Sequence, residues 1–166
     1  MDISILICTR DRGEDLRGVL QHLGAVRVPD GLQVELLMID NGSVDGTRGL
    51  VEGTKLSNMD LRYVHAPQGG KCAAFNQGFA LSSGRVLLLT DDDVHVPTDW
   101  VEAMCRPILA GETEVVQGGI RLAPHLERPW LKGVLRHWVA ALENPDWPPE
   151  GLIGANVAIS RRAFAV

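Results

Sequence analysis

Leu87-Leu88-Leu89-Thr90 runs without a break into Asp91-Asp92-Asp93-Val94, and few folds accommodate that change. A continuous apolar run of this length, with no polar alternation, is the pattern of a strand buried on both faces. Three adjacent carboxylates cannot follow it into the interior, because crowded like charges raise one another's pKa unless a positive group lies among them. The strand must end where the carboxylates begin, at an edge open to water or to a cation. Oxygen donors of this kind suit the hard divalent ions Mg²⁺ and Mn²⁺, which complete their shells with water and substrate phosphates. A solvated acidic approach to the helix that begins after Pro97 would use the same residues without a metal, since Asp is favoured at a helix N-terminus.

The same arrangement recurs upstream. Ile3-Ser4-Ile5-Leu6-Ile7-Cys8 is a β-rich run that stops at Thr9-Arg10-Asp11-Arg12-Gly13. Leu16, Val19, Leu20 and Leu23 then follow with the spacing of one helical face. Gly24 and Pro29 close that helix, and 34–39 reads as a second buried strand ending in Asp40-Asn41-Gly42-Ser43. Ser43 or Asp45 caps a short helix through Leu50 and Val51, which Gly46, Gly49 and Gly53 weaken, and 61–65 is a third strand. Gly69-Gly70-Lys71 opens a helix carrying Ala73, Ala74, Phe75, Phe79 and Leu81, which ends near Ser82-Ser83-Gly84. The strand 85–89 leads to a helix with Trp100, Val101, Met104 and Ile108, then to a strand over 115–120. An amphipathic helix with Trp130, Leu131, Val134, Leu135, Trp138 and Leu142 follows; Trp130, Trp138 and Trp147 suit a sugar-stacking or membrane-facing surface, while the core spacing favours burial of most of them.

Alternating strands and helices predict an α/β fold, a mainly parallel sheet with helices on both faces. Ligands in such sheets bind beyond the carboxyl ends of the strands. Those ends carry Thr9 to Asp11, Asp40 to Ser43 and Asp91 to Asp93. No repeat or linker divides the chain, so one domain over 1–166 is expected, with Pro145, Pro148 and Pro149 marking a loop.

A net charge of −5 argues against a nucleic-acid partner. Cys8, Cys72 and Cys105 are odd in number, lack the paired spacing of a zinc site, and read as reduced core residues. The chain shows no secretory signal and no apolar run near the roughly 20 residues that cross a bilayer, so a soluble, cytoplasmic protein is expected. The five histidines show no ligand spacing. For phosphate, the sequence fails the Walker A pattern, which needs Gly at His65 and Ser or Thr at Cys72, and the first strand lacks G-x-G-x-x-G. Gly69-Gly70-Lys71 remains: free backbone N–H groups at a helix start, with one ammonium, suit a diphosphate.

In combination these residues resemble the family 2 glycosyltransferases of the GT-A fold. Ser4 to Arg12 is similar to that family's opening strand and loop, and Met38-Ile39-Asp40-Asn41-Gly42-Ser43-Val44-Asp45-Gly46-Thr47 to its V-D-D/N-G-S-x-D-G-T segment. Gly70-Lys71 with Ala74, Asn76 and Gly78 resembles its G-K-x-x-A-x-N-x-G helix start. Thr90-Asp91-Asp92-Asp93 stands in the place of its DxD metal motif, and Gly154-Ala155-Asn156 with Arg161-Arg162 resembles a G-x-N-x-x-x-x-R-R segment on the acceptor side. The resemblance implies a Rossmann-like domain and inverting, metal-dependent transfer from a nucleotide diphosphate sugar to an acceptor hydroxyl, as in cell-wall or polysaccharide synthesis.

Carried over by position, Thr9, Arg10 and Asp11 would line the nucleoside pocket, with Asp40 and Asn41 at the base or ribose and Lys71 at the diphosphate. Asp91 and Asp93 would hold Mn²⁺ or Mg²⁺, with Asp92 between them able to substitute. Gly154, Asn156 and Arg161 would lie on the acceptor side. Residues 1–120 would be the donor-binding part and 121–166 the start of an incomplete acceptor part. The implied partners are the sugar nucleotide and a carbohydrate or lipid-linked acceptor, with peripheral association at the inner face of a membrane and self-association through exposed apolar surface as further expectations.

Two departures stand out. Asn41 replaces a second Asp, and no match to the family's downstream general-base motif is present, Glu143, Asp146 and Glu150 being the only acids between the long helix and the G-x-N segment. The missing base leaves a non-catalytic sugar-nucleotide-binding module as the alternative from another class. A sugar nucleotidyltransferase would require a glycine-rich basic loop after the first strand, where only Gly13 stands, and a Ca²⁺ module would require a D-x-D-x-D-G loop.

Overall fold

The computed structural model describes residues 1–67, 69–132, 135–136 and 154–164. Strands β1 (Ile3–Thr9), β2 (Val34–Asp40), β3 (Asp60–His65), β4 (Val86–Asp91), β5 (Val115–Gln117) and β6 (Asn156–Ser160) form one sheet in the order β3-β2-β1-β4-β6-β5. Between them lie helices α1 (Leu16–Gly24), α2 (Thr47–Gly53), α3 (Gly70–Leu81) and α4 (Trp100–Leu109). β1 to β4 are mutually parallel, and β6 runs antiparallel to both β4 and β5. The expected mainly parallel α/β sheet is present, and its one reversed strand comes late in the chain.

Every residue of β1 and β2 is buried, which explains why both read as uninterrupted apolar runs. Alternate side chains enter two cores. Ile3, Ile5, Ile7, Leu36, Met38 and Leu88 pack with Leu16, Leu20 and Leu23 of α1, Val51 of α2 and Trp100, Val101 and Met104 of α4. On the opposite face Leu6, Leu37, Ile39, Leu87 and Leu89 meet Ala74 of α3. Among the described residues the second face has one helix, and that helix buries Ala74 and Gly78. Of the apolar residues expected on it, Ala74 is buried and Phe75 and Phe79 pack half-buried against the core, whereas Leu81 is exposed. At Gly78 the helix lies close to the sheet, where a Cβ would collide with the Ile39 side chain.

The strand expected over 115–120 stops at Gln117. Its partner β6 starts at Asn156, and the Asn156 amide fills the space a Cβ on Gly118 would need, so the ladder has nowhere to continue. β4 extends beyond Leu89 to Asp91 because β1 still pairs with it there, Cys8 opposite Asp91. Cys8 and Cys105 are buried, but Cys72 is exposed on α3, a correction to its reading as a core residue. Asp45 does serve the start of α2, its Oδ1 accepting the Thr47 N–H at 2.9 Å, although the residue at the cap position itself is Gly46. Most of the helix expected from Trp130 to Leu142 falls outside the described residues, as do Trp138, Trp147, Glu143, Asp146 and Glu150. Trp130 is 67% exposed, so of the two fates open to these tryptophans it takes the surface one rather than burial. No helix among the described residues is long and apolar enough to cross a membrane.

A polar cluster closes the amino edge of the sheet. Glu35, almost wholly buried, accepts hydrogen bonds from Ser4 Oγ (2.6 Å), Ser83 N (2.7 Å), Ser83 Oγ (2.8 Å) and Arg62 Nη1 (2.8 Å). Burial opposes its charge, but these donors outweigh it and hold the carboxyl at about 2. Beside it Arg161 donates to Ser82 O, Ser82 Oγ and Gly84 O. These contacts fix the chain just where it leaves α3.

Candidate active site

The parallel register brings the carboxyl ends of β1, β2 and β4 together: Thr9 pairs with Asp40, and Cys8 with Asp91. β1 has β2 on one side and β4 on the other, so the chain winds away from it in both directions and leaves a crevice at its carboxyl end. Three loops and the start of α3 surround that crevice.

The first two loops are joined to each other. Asp11 adopts a positive φ of 53°, and from that turn its N–H donates to Ser43 Oγ (2.9 Å) while its Oδ1 accepts the Val44 N–H (2.8 Å). Arg12 N donates to Thr47 Oγ1 (3.3 Å), and Gly13 N to Asp45 Oδ2 (3.0 Å). Asp45 therefore bridges the β1–α1 loop and the start of α2. Both loops also hold together at the strand ends, where Asn41 N donates to Thr9 O (2.9 Å). Arg10 is exposed and lies 3.7 Å from the Asp11 carboxylate.

Asp40 is buried, and both its oxygens are engaged: Oδ1 accepts from Ser43 N (2.7 Å) and Oδ2 from Tyr63 Oη (2.6 Å). Burial works against its charge, yet the Tyr63 and Ser43 donors prevail and hold its pKa below the ordinary value. Burial, with the Asp40 charge added, pushes the Tyr63 phenol up to about 12. Asp40 is thus a fixed anion at neutral pH.

The third loop carries the acidic run. Asp91 ends β4 and receives Lys71 Nζ at 2.7 Å; Asp93 lies 3.8 Å from Arg12 Nη2. Burial raises the pKa of Asp92, and its two acidic neighbours add to that, against the opposing pull of Thr9 and Arg12. Thr9 Oγ1 is fully buried without a hydrogen bond of good geometry, and it faces that carboxyl. Three carboxylates thus share two cations. Among the described residues no group of three or more His, Cys, Asp or Glu side chains is placed to hold a metal ion by itself. The donors are nevertheless all oxygen, they stand at an open edge, and they carry excess negative charge. They fit a hard divalent ion that takes its remaining ligands from phosphate and water.

Lys71 reaches Asp91 because of the turn before it. Gly69 and Gly70 have φ of 87° and 76°, a conformation that strains any residue with a Cβ. The pair reverses the chain after β3, so that α3 starts at the crevice with its first N–H groups free of intrahelical partners. Burial opposes the Lys71 charge, but Asp91 overrides it and raises the ammonium pKa.

The acceptor-side residues separate. Thr90 Oγ1 donates to Ala155 O (2.9 Å), placing Gly154 and Asn156 beside the end of β4. The Asn156 amide is used at both ends, Oδ1 accepting from Trp100 Nε1 (2.9 Å) and Nδ2 donating to Gly119 O (2.9 Å). Arg161 is not brought to this cluster; it lies at the opposite edge of the sheet, opposite the start of β4. Sequence reasoning missed Tyr63 and Arg12, and it read Asp45 as a helix cap without its bridge to Gly13; nothing local connects Tyr63 with a strand two dozen residues earlier.

The sequence model of Glycosyl transferase family 2 matches residues 4–165. A curated relative, the succinoglycan biosynthesis protein ExoM of Rhizobium meliloti, is 31% identical over 151 residues, covering 82% of this chain and 48% of its own. The chain spans half or less of the length of the curated relatives it matches. Among solved structures, the mannosyltransferase PcManGT of Pyrobaculum calidifontis in complex with GDP-Man and Mn²⁺ superposes with a TM-score of 0.68 at 17% identity, over 98% of this chain and 45% of that one. Glucosyl-3-phosphoglycerate synthase of Mycobacterium tuberculosis, with Mn²⁺, UDP and glucosyl-3-phosphoglycerate, gives 0.65 at 24% identity over 97% and 57%. At these identities the likeness to the two structures is one of fold.

Proposed function

The chain belongs to Glycosyl transferase family 2, and on that premise we propose that it binds a nucleoside diphosphate sugar across the carboxyl ends of β1, β2 and β4 and passes the sugar, with inversion, to an acceptor hydroxyl. The observation that carries this reading is the Lys71–Asp91 contact of 2.7 Å. It joins the start of α3 to the acidic run in the crevice, so that one small region offers an ammonium, free backbone N–H groups and carboxylates. A diphosphate with a divalent cation is complementary to all three.

Asp91 and Asp93, with Asp92 beside them, would hold Mn²⁺ or Mg²⁺; such an ion, when bound, neutralises charge on the departing diphosphate. Lys71 and the first N–H groups of α3 orient the phosphates. Thr9, Arg10, Asp11 and Asn41 line the nucleoside side. Asp40 is anchored by Tyr63 and Ser43, so it presents a fixed charge to that side rather than a mobile side chain. Gly154 and Asn156 border the acceptor side next to Thr90. Relatives whose names specify succinoglycan synthesis and β-monoglucosyldiacylglycerol synthesis support a saccharide or glycolipid product, and the Mn²⁺ complexes of two fold neighbours support the cation.

The test is calorimetric titration of UDP, dTDP and GDP into the folded chain, each with Mn²⁺ and with EDTA, on the wild type and on Asp93→Ala. Metal-dependent binding of one nucleotide, lost in the variant, is expected. Absence of binding by every nucleotide refutes the reading for this chain.

A further inference from the structure

The segment that follows β5 exposes large apolar and basic side chains together. Leu126 and Trp130 are 48% and 67% exposed, in a 3₁₀ turn over Pro124–Leu126 and the turn just after it. Arg121, Arg128 and Lys132 stand exposed around them, and none of the three forms an ion pair with a carboxylate of the described residues. Arg128 holds the turn through its Nη1, which donates to the carbonyls of His125 and Glu127 at 2.8 Å each. Glu127, the only acid between 121 and 136, is engaged by Arg136 at 2.9 Å. In a chain of net charge −5 this stretch is strongly basic.

We propose that this segment is a membrane contact, in which Trp130 and Leu126 settle at the headgroup boundary of an anionic bilayer and Arg121, Arg128 and Lys132 meet the lipid phosphates. An indole suits that boundary because it is apolar over most of its surface and carries one N–H that stays wet. Basic side chains near it are drawn by the negative surface potential of anionic lipid. The charge favours this occupant over the others that an exposed Trp could meet. A neutral carbohydrate has no use for three cations, and a two-fold contact with a second copy would set the basic side chains against one another.

The segment leaves the sheet at the active-site edge. Gly118 N donates to Asn156 O and Asn156 Nδ2 to Gly119 O, both at 2.9 Å, and Asn156 pairs with Thr90, the residue before Asp91. The segment therefore starts beside the edge that carries the acidic run.

The test is co-sedimentation of the purified chain with vesicles of phosphatidylcholine alone and of phosphatidylcholine mixed with phosphatidylglycerol, at low and high salt. The variants are Trp130→Ser and the double change Arg121→Gln with Lys132→Gln, which leaves the Arg128 contacts of the turn in place. All three positions are exposed, and circular dichroism checks the fold. Binding to the mixed vesicles alone is expected, weakened by salt and by Trp130→Ser. Each basic residue contributes about fivefold to partitioning, so the double variant falls by roughly 25-fold. No binding to mixed vesicles, equal binding to both kinds, or variants that bind like the wild type would each overturn the proposal. So would a dimer, seen by light scattering, that Trp130→Ser dissolves without any vesicle binding. Nucleotide titration of the same variants stays unchanged, so failure at the membrane and failure at the donor site are read separately.

Discussion

Replacing Glu35 by Gln removes a charge and keeps the shape, and the structure sets the size of the effect. Four donor contacts converge on a carboxylate that is 1% exposed, so solvent does little to screen them. The fall in pKa from 4.5 to about 2 corresponds to about 3 kcal/mol at 1.36 kcal/mol per pH unit. Because the folded-state value is the lower one, this stabilisation is fully present above pH 4.5. It is lost as the pH falls toward 2 and the buried carboxylate takes up a proton. At pH 7 Glu35→Gln should therefore be less stable than the wild type by about 3 kcal/mol, and the gap should narrow steadily below pH 4.5. Urea unfolding followed by circular dichroism at pH 7, 5, 4 and 3 measures it. A gap that stays constant from pH 7 to 3 would place the effect in packing rather than charge and refute the reasoning, as would no gap at pH 7.

Two further substitutions test the site and its scaffold. Tyr63→Phe leaves one Asp40 oxygen without its donor; it should cost about 1–2 kcal/mol of stability in thermal unfolding and raise the Asp40 pKa, with a weaker nucleotide affinity in the titration described above. Gly78→Ala drives a methyl group into Ile39 and should cost about 1–3 kcal/mol, seen as a lower Tm, whereas Gly49→Ala, with open space around it, should not.

The fold was legible wherever burial is symmetrical. β1 and β2 are buried along their whole length, so their apolar runs have one reading, and the polar residues that end them mark the crevice. α3 was legible for a different reason: Gly69-Gly70 specifies a turn that few other residues can make. Its packing was only partly legible, because the closest contact is through Ala74 and Gly78, with Phe75 and Phe79 half-buried and Leu81 exposed, and no apolar period records a helix that lies close to its sheet. The extent of β5 depends on where β6 begins, some forty residues later. The acidic run announced itself, but its partners did not. Tyr63 reaches Asp40 only through the parallel register of β2 and β3, and Arg161, which the motif resemblance places on the acceptor side, is carried by the reversed strand β6 to the far edge.

That far edge bears on the active site through α3. A helix of 12 residues spans about 18 Å, and this one is anchored by polar contacts at both ends. At its carboxyl end the chain is fixed by Glu35 and Arg161 through Ser82, Ser83 and Gly84; at its start Lys71 meets Asp91. Between them Ala74 and Gly78 are buried and Phe75 and Phe79 pack half-buried against the sheet, so the helix moves as one unit if the far anchor loosens. Lys71 would move with it, since the glycines that precede it offer no stiffness. Glu35→Gln should therefore weaken nucleotide binding as well as stability, although residue 35 lies at the opposite edge of the sheet from the phosphates. A variant that loses stability yet binds nucleotide as tightly as the wild type would show that the crevice alone fixes Lys71.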